Sequence, residues 1–323
     1  MISRVTIANY KSIEAADFET RRVNVFIGEP NSGKSNLLET IGFLSPGVSD
    51  KVKELFRLQN PADMFYNREI EKGLRVQLAG FGEWNLGFDR QQGFFLGNVM
   101  VKNDRFRMIL GRDGQVRENW PSQKSNVRFY RYRSLTKGQW DSNQFANLAP
   151  PFGANLPNLL YTDKKVRDSI STFFKSKGYR LELRPQDHEI LMSQEVDDIL
   201  YSFPFESISE TMRRIVFYKA ALESNKDAIL VFDEPESHTF PFYTKYLAER
   251  IALDSSNQFF LTTHNPYVLM SIIEKTPQSN LAVFATRMVN YRTEVRMLNQ
   301  KQGEEAFDLG SDLFFNLDRF FPE

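Results

Sequence analysis

The 323 residues contain no cysteine, which excludes disulfides and thiol chemistry and fits a reducing cytosol. Histidine and tryptophan are scarce, three of each. No apolar run approaches the 18 or so residues that a membrane span needs, so no membrane partner is expected. The opening Met1-Ile2-Ser3-Arg4-Val5 lacks the apolar stretch of a secretory signal, and a cytoplasmic protein is expected. Charge of either sign has no excess: 41 Lys and Arg balance 41 Asp and Glu, which removes any global electrostatic case for nucleic acid or membrane. Phenylalanine is plentiful, with 29 residues, and a chain of this length can bury a large aromatic-rich core.

The most informative stretch is Gly28-Glu29-Pro30-Asn31-Ser32-Gly33-Lys34-Ser35, which has the form G-x-x-x-x-G-K-[ST]. An apolar run, Val23 to Ile27, precedes it and a helical pattern, Asn36 to Ile41, follows. Strand, glycine loop and helix in that order form a phosphate cradle, with loop N–H groups and the helix N-terminus directed at anionic oxygens. Lys34 can reach the outer phosphates and the Ser35 hydroxyl can ligate Mg²⁺. The expected ligand is ATP, held by residues 28–35 and the neighbouring Asn36.

Downstream of this loop, 74–110 alternates short apolar pieces with glycines, as an antiparallel meander does. Pro150 to Pro157 is a breaker cluster that marks entry into a different subdomain, with a helix over 163–177. From Ser207 the pattern alternates again. Helices are predicted over 209–223, 244–253 and 267–274, and strands over 228–232, 259–263, 281–285 and 292–298. Such alternation predicts a parallel sheet covered by helices.

Two of those strands end in chemistry. Asp233-Glu234-Pro235 follows the apolar run Ala228 to Phe232, and the C-terminal edge of a parallel strand faces the ligand crevice. Asp233 is placed to hold Mg²⁺ and Glu234 to polarise an attacking water. His264, in Thr262-Thr263-His264-Asn265-Pro266, is placed to donate to a γ-phosphate; the alternative is a packed histidine satisfied by backbone.

The phosphate loop, Ile229 to Glu236 and Thr262 to Pro266, in this order, resemble the ABC-type ATPase heads of the RecF, SMC and OLD group. Ile7-Ala8-Asn9-Tyr10-Lys11-Ser12-Ile13 resembles that group's N-F-[KR]-S opening. The likeness extends to short prokaryotic AAA-family ATPases related to OLD proteins, without the Toprim nuclease half, for which no length follows Leu298. It implies an α/β P-loop NTPase of ABC type, one domain over 1–323, with an antiparallel β layer and a small helical subdomain over 140–205. It implies Mg-dependent ATP hydrolysis coupled to head-to-tail dimerisation. The expected output drives or licenses an effector protein in DNA maintenance or anti-phage defence. The alternative is an ATP-sensing scaffold that restrains a toxin or nuclease with little turnover.

By the same resemblance, Ile208-Ser209-Glu210-Thr211 matches the L-S-x-G signature, whose serine meets the nucleotide of a second copy. Ser209 equally fits a helix N-cap, and Thr211 stands where glycine is expected. Lys11 matches a basic residue near the α-phosphate. Gln59 and Gln77 are candidates for the glutamine loop. Glu236 and His238 fall where the group's dimer interface runs. Two features stand apart. From Lys102 to Arg133 nine basic residues face three acidic ones, which fits a DNA or RNA phosphate patch or strand charges balanced by neighbours. The acidic, Phe-rich tail after Lys301 fits a helix docked on its own core or on a partner.

Overall fold

The computed structural model describes residues 1–111, 116–117, 125–141 and 145–321. The chain opens with β1 (Arg4–Tyr10) and β2 (Ile13–Glu19), an antiparallel pair, then β3 (Val23–Gly28). Helix α1 (Lys34–Gly42) and the one-turn α2 (Val52–Leu55) lead to the meander β4 (Leu74–Ala79), β5 (Gly82–Asp89), β6 (Phe94–Val101), β7 (Asp104–Leu110) and β8 (Val116–Arg117). Among the described residues these make a seven-stranded antiparallel sheet, ordered β2-β1-β4-β5-β6-β7-β8.

The second sheet begins with β9 (Val127–Tyr130). After α3 (Leu156–Thr162), α4 (Lys164–Lys175), β10 (Arg180–Arg184), β11 (Glu189–Val196) and β12 (Ile199–Pro204) the chain returns to it. It continues through α5 (Glu210–Ser224), β13 (Ile229–Phe232), α6 (Pro241–Leu253), β14 (Gln258–Thr262), α7 (Pro266–Lys275), β15 (Leu281–Val289), β16 (Arg292–Met297) and α8 (Gln300–Leu309). The strand order is β16-β15-β3-β14-β13-β9, parallel throughout except for the antiparallel β16 edge.

Its central strands are buried on both faces, so each reads as an unbroken apolar run whose residues divide between two cores. Phe26, Val231 and Phe260 enter a core shared with α1 and the antiparallel sheet. Val25, Ile27, Phe232 and Leu261 enter a core shared with α3 to α7. Helix α1 is thus clamped between sheets: Phe43, its C-cap, stacks on Trp84 at 4.0 Å between ring centroids, and Trp84 Nε1 donates to Thr40 O at 2.9 Å. Clamping α1 fixes the phosphate loop at its N-terminus.

The helical expectation for 140–205 needs correction. Its first half is helical, but β10, β11 and β12 form a three-stranded antiparallel sheet. The β11–β12 turn is Asp197-Asp198, at φ 51° and 60°, the left-handed pair a two-residue hairpin uses. The tail docks on its own chain: Leu313, Leu317, Phe320 and Phe321 lie in the helix-side core.

Candidate active site

Strands β3, β14, β13 and β9 are consecutive neighbours, so their C-terminal tips form one row. The row carries the phosphate loop, the His264 run, the Asp233–Glu234 pair and Arg131. Adjacency in the sheet brings together side chains about 200 residues apart in sequence.

The loop is preorganised from within. Lys34, only 5% exposed, donates from Nζ to Gly28 O at 2.9 Å and Glu29 O at 2.7 Å. Burial lowers its pKa to about 8, with the Glu234 and Asp233 charges opposing that fall. Glu29, Pro30 and Asn31 form the exposed apex. Ser32 Oγ shares a hydrogen bond with Thr286 Oγ1 at 2.7 Å on β15. Asn36 donates to Ser12 Oγ at 2.7 Å, and Ser12 shares a hydrogen bond with Thr293 Oγ1 at 2.7 Å. The N-terminal hairpin and β15–β16 thus buttress the loop from behind.

Ser35 Oγ donates to Asp233 Oδ1 at 3.0 Å. Hydroxyl and carboxylate oxygens are the donors a hard cation takes, and the pair fits Mg²⁺ with its remaining positions left to phosphate and water. Thr262 Oγ1 donates to the same Asp233 oxygen at 2.9 Å and accepts from the Glu234 N–H at 2.9 Å. This threonine, at the tip of β14, fixes the Asp233 carboxylate and the Glu234 backbone, a role its place beside His264 in the sequence did not disclose.

Glu234 has a left-handed backbone, φ 46°, ahead of Pro235. Residues before proline favour extended backbone, so this is a strained strand end of the kind found at functional sites. His264 Nε2 lies 3.0 Å from Glu234 Oε1, and Ser237 Oγ donates to Oε2 at 3.1 Å. The hydrogen bond from His264 holds the Glu234 carboxyl down to about 2, against the opposing effect of burial.

Glu236 is buried behind this pair. It accepts from Thr263 Oγ1 and from the His264 N–H, and its Oε2 has no hydrogen-bond partner among the described residues. Burial pushes its pKa up to about 7 from 4.5. The folded chain therefore holds a proton that the unfolded chain loses near pH 4.5, and stability falls as pH rises through that window. Glu236→Gln removes this dependence. In urea unfolding at pH 5 and pH 8 the variant should gain roughly 2 kcal/mol on the wild type between the two. A gap that does not change with pH contradicts a neutral Glu236.

Other expected residues lie elsewhere. Ser209 caps α5, accepting from Met212 N at 3.3 Å; among the described residues it makes no hydrogen bond to the loop or to the carboxylates. Thr211 Oγ1 donates to His238 O at 3.0 Å. Lys11 Nζ turns to Glu39 and to Phe56 O rather than to the loop. Gln77 is exposed on the antiparallel sheet, where it pairs with Thr6, and the Gln59 N–H serves the Asn60 turn, so neither joins the row. The basic stretch divides. Tyr130 is buried with its hydroxyl on Leu148 O, Arg133 pairs with Glu54, and Arg131 pairs with Asp233. Arg112, Asp113, Glu118 and Lys124 lie outside the described residues.

Comparison with known proteins agrees with this fold. A family model described as "AAA ATPase domain" matches residues 1–81, and one described as "AAA domain, putative AbiEii toxin, Type IV TA system" matches residues 143–271. The DNA replication and repair protein RecF of Francisella tularensis subsp. mediasiatica (strain FSC147) is 24% identical over 210 residues, covering 59% of this chain and 58% of RecF. The chain thus spans less than two thirds of that relative. An SMC head solved with the C-winged helix domain of ScpA has a TM-score of 0.57 at 15% identity, covering 94% of this chain and 99% of that one. The SMC head domain from Thermotoga maritima aligns over 92% of this chain and 98% of its own, with a TM-score of 0.47 at 13% identity. Motif order and fold together support an ABC-type ATPase head similar to those of the RecF and SMC group.

Proposed function

We propose that this head binds Mg-ATP at the strand-tip row, hydrolyses it slowly, and uses the bound state to close a homodimer that licenses a separate effector. One observation carries the reading: Ser35 and Asp233 share a hydrogen bond of 3.0 Å at the phosphate loop, with the Glu234–His264 pair on the adjoining tips. When bound, Mg²⁺ would supply charge neutralisation for the phosphates from Ser35 and Asp233. Lys34 and the loop N–H groups would bind and offset phosphate charge, the main catalytic contribution in phosphoryl transfer. Glu234 would orient water, and His264 would hold Glu234 and meet the terminal phosphate. A role beside DNA rests on the name of the RecF relative, and a role in defence on the toxin–antitoxin description of the second family model.

Phosphate release with Mg-ATP, with and without DNA, tests the reading. Turnover that DNA stimulates supports an engine. Tight ATP retention with negligible turnover supports the second reading, a nucleotide sensor that restrains its partner. Thr211 favours the second: its side chain stands in the glycine place of the signature, fixed to His238 O.

Ser209 separates cap from interface. Ser209→Asp keeps a good N-cap but sets a carboxylate where the second copy's phosphate would arrive. The variant should fold and bind ATP as the wild type does, while the ATP-dependent dimer disappears in sedimentation velocity. A dimer that persists reduces Ser209 to a cap.

A further inference from the structure

Arg131, at the tip of β9, has no part in the function above, yet it touches the metal carboxylate. One guanidinium nitrogen lies 3.2 Å from Asp233 Oδ2, and the other donates to Leu55 O at 2.7 Å, at the end of α2. Its backbone N–H donates to Pro151 O at 3.0 Å, so the strand tip is tied to the segment that opens the inserted subdomain. With two anchors fixed, the remaining arm of the fork has one direction, toward Asp233. Ser35 and Thr262 take the opposite oxygen of that carboxylate. The Asp233 side chain is only 9% exposed. A buried carboxylate beside an incoming polyphosphate is a like-charge encounter, costly unless a cation or a fixed positive group offsets it.

We propose that Arg131 is the positioning residue of Asp233: it neutralises and aims the carboxylate while no cation is bound, and so lets nucleotide enter the site without metal. The proposal rests on the nucleotide reading above. It gives β9 a task that neither the phosphate loop nor the Asp-Glu pair performs.

The test is titration of a fluorescent ATP analogue in EDTA and in Mg²⁺, for the wild type, Arg131→Ala, Arg131→Lys and Arg131→Ala with Asp233→Asn. Arg131→Ala should weaken metal-free binding about tenfold and leave binding in Mg²⁺ within about threefold, because the cation then supplies the missing charge. Arg131→Lys and the double variant should recover most of the metal-free affinity. Arg131→Gln serves where the alanine variant does not fold, and should show the same deficit in EDTA. Equal weakening in both buffers, or none in either, overturns the proposal and leaves Arg131 a strand-end brace. A wild type that binds no nucleotide in either buffer overturns the nucleotide reading and this proposal with it, and needs no variant to be seen.

Discussion

Glu234→Gln should lower ATP turnover by about 10²- to 10³-fold while ATP stays bound, and should accumulate the ATP-closed dimer. The substitution keeps the shape of the side chain but removes the charge, and its amide oxygen can accept from only one of Ser237 and His264. That charge is well protected. His264 keeps the carboxyl ionised down to about pH 2, so the folded chain carries it through the whole physiological range. A carboxylate held so low takes a proton poorly, and its contribution is to orient and polarise water rather than to act as a strong base. The acid limb of the pH–rate profile should therefore not come from Glu234. His264→Ala releases the carboxylate, and in that variant an acid limb from Glu234 should appear nearer ordinary carboxylate values. Phosphate release and sedimentation of the same Glu234→Gln sample check both halves. Turnover at wild-type level removes Glu234 from catalysis. A variant that turns over slowly but stays monomeric in saturating Mg-ATP removes the dimer.

Gly33→Ala should abolish nucleotide binding and destabilise the fold by about 2 kcal/mol or more. Gly33 sits at φ 93°, where an L side chain is strained in any surroundings. A Cβ there would also fall 1.9 Å from Thr293 Oγ1 and 2.9 Å from Thr293 Cβ. Thr293 cannot withdraw cheaply, because its hydroxyl is bonded to Ser12 and its backbone N–H donates to Ser12 O at 2.7 Å. The loop would have to move instead, and with it the N–H groups that face the phosphates. Denaturant unfolding together with nucleotide titration reads the two effects separately. Wild-type affinity in this variant contradicts a loop whose shape depends on that contact.

The same contacts explain what could be read from the chain. The glycine loop, the Asp233–Glu234 pair and His264 were legible because each ends an apolar run long enough to be a doubly buried strand. Parallel strands put such ends on one edge. The order of those strands was not legible, since nothing local in Phe259 to Thr263 says that it lies between Val23 to Gly28 and Ile229 to Phe232. Strand β9 has four residues and a charged exit, so Arg128, Arg131 and Arg133 looked like a surface patch; only pairing with β13 brings Arg131 to Asp233. The β10–β12 sheet was legible only as a short strand and turn over 189–201, because its edge strand is exposed from Ile199 to Pro204, which removes the in–out alternation that marks a half-buried strand. The Asp197-Asp198 turn was its one local signal. Ser209 was undecidable because a signature serine and a helix cap use the same hydroxyl at the same place in the helix.

The account depends on one triphosphate lying across the four adjacent strand tips. A structure determined with Mg²⁺ and a non-hydrolysable ATP analogue tests this most directly. The prediction is a chain of phosphates along residues 28–36, with the terminal phosphate within about 3 Å of Lys34 Nζ and hydrogen-bonded to His264, and the cation between Ser35 and Asp233. A nucleotide bound away from the loop, or one whose terminal phosphate lies out of reach of both Lys34 and His264, would contradict it.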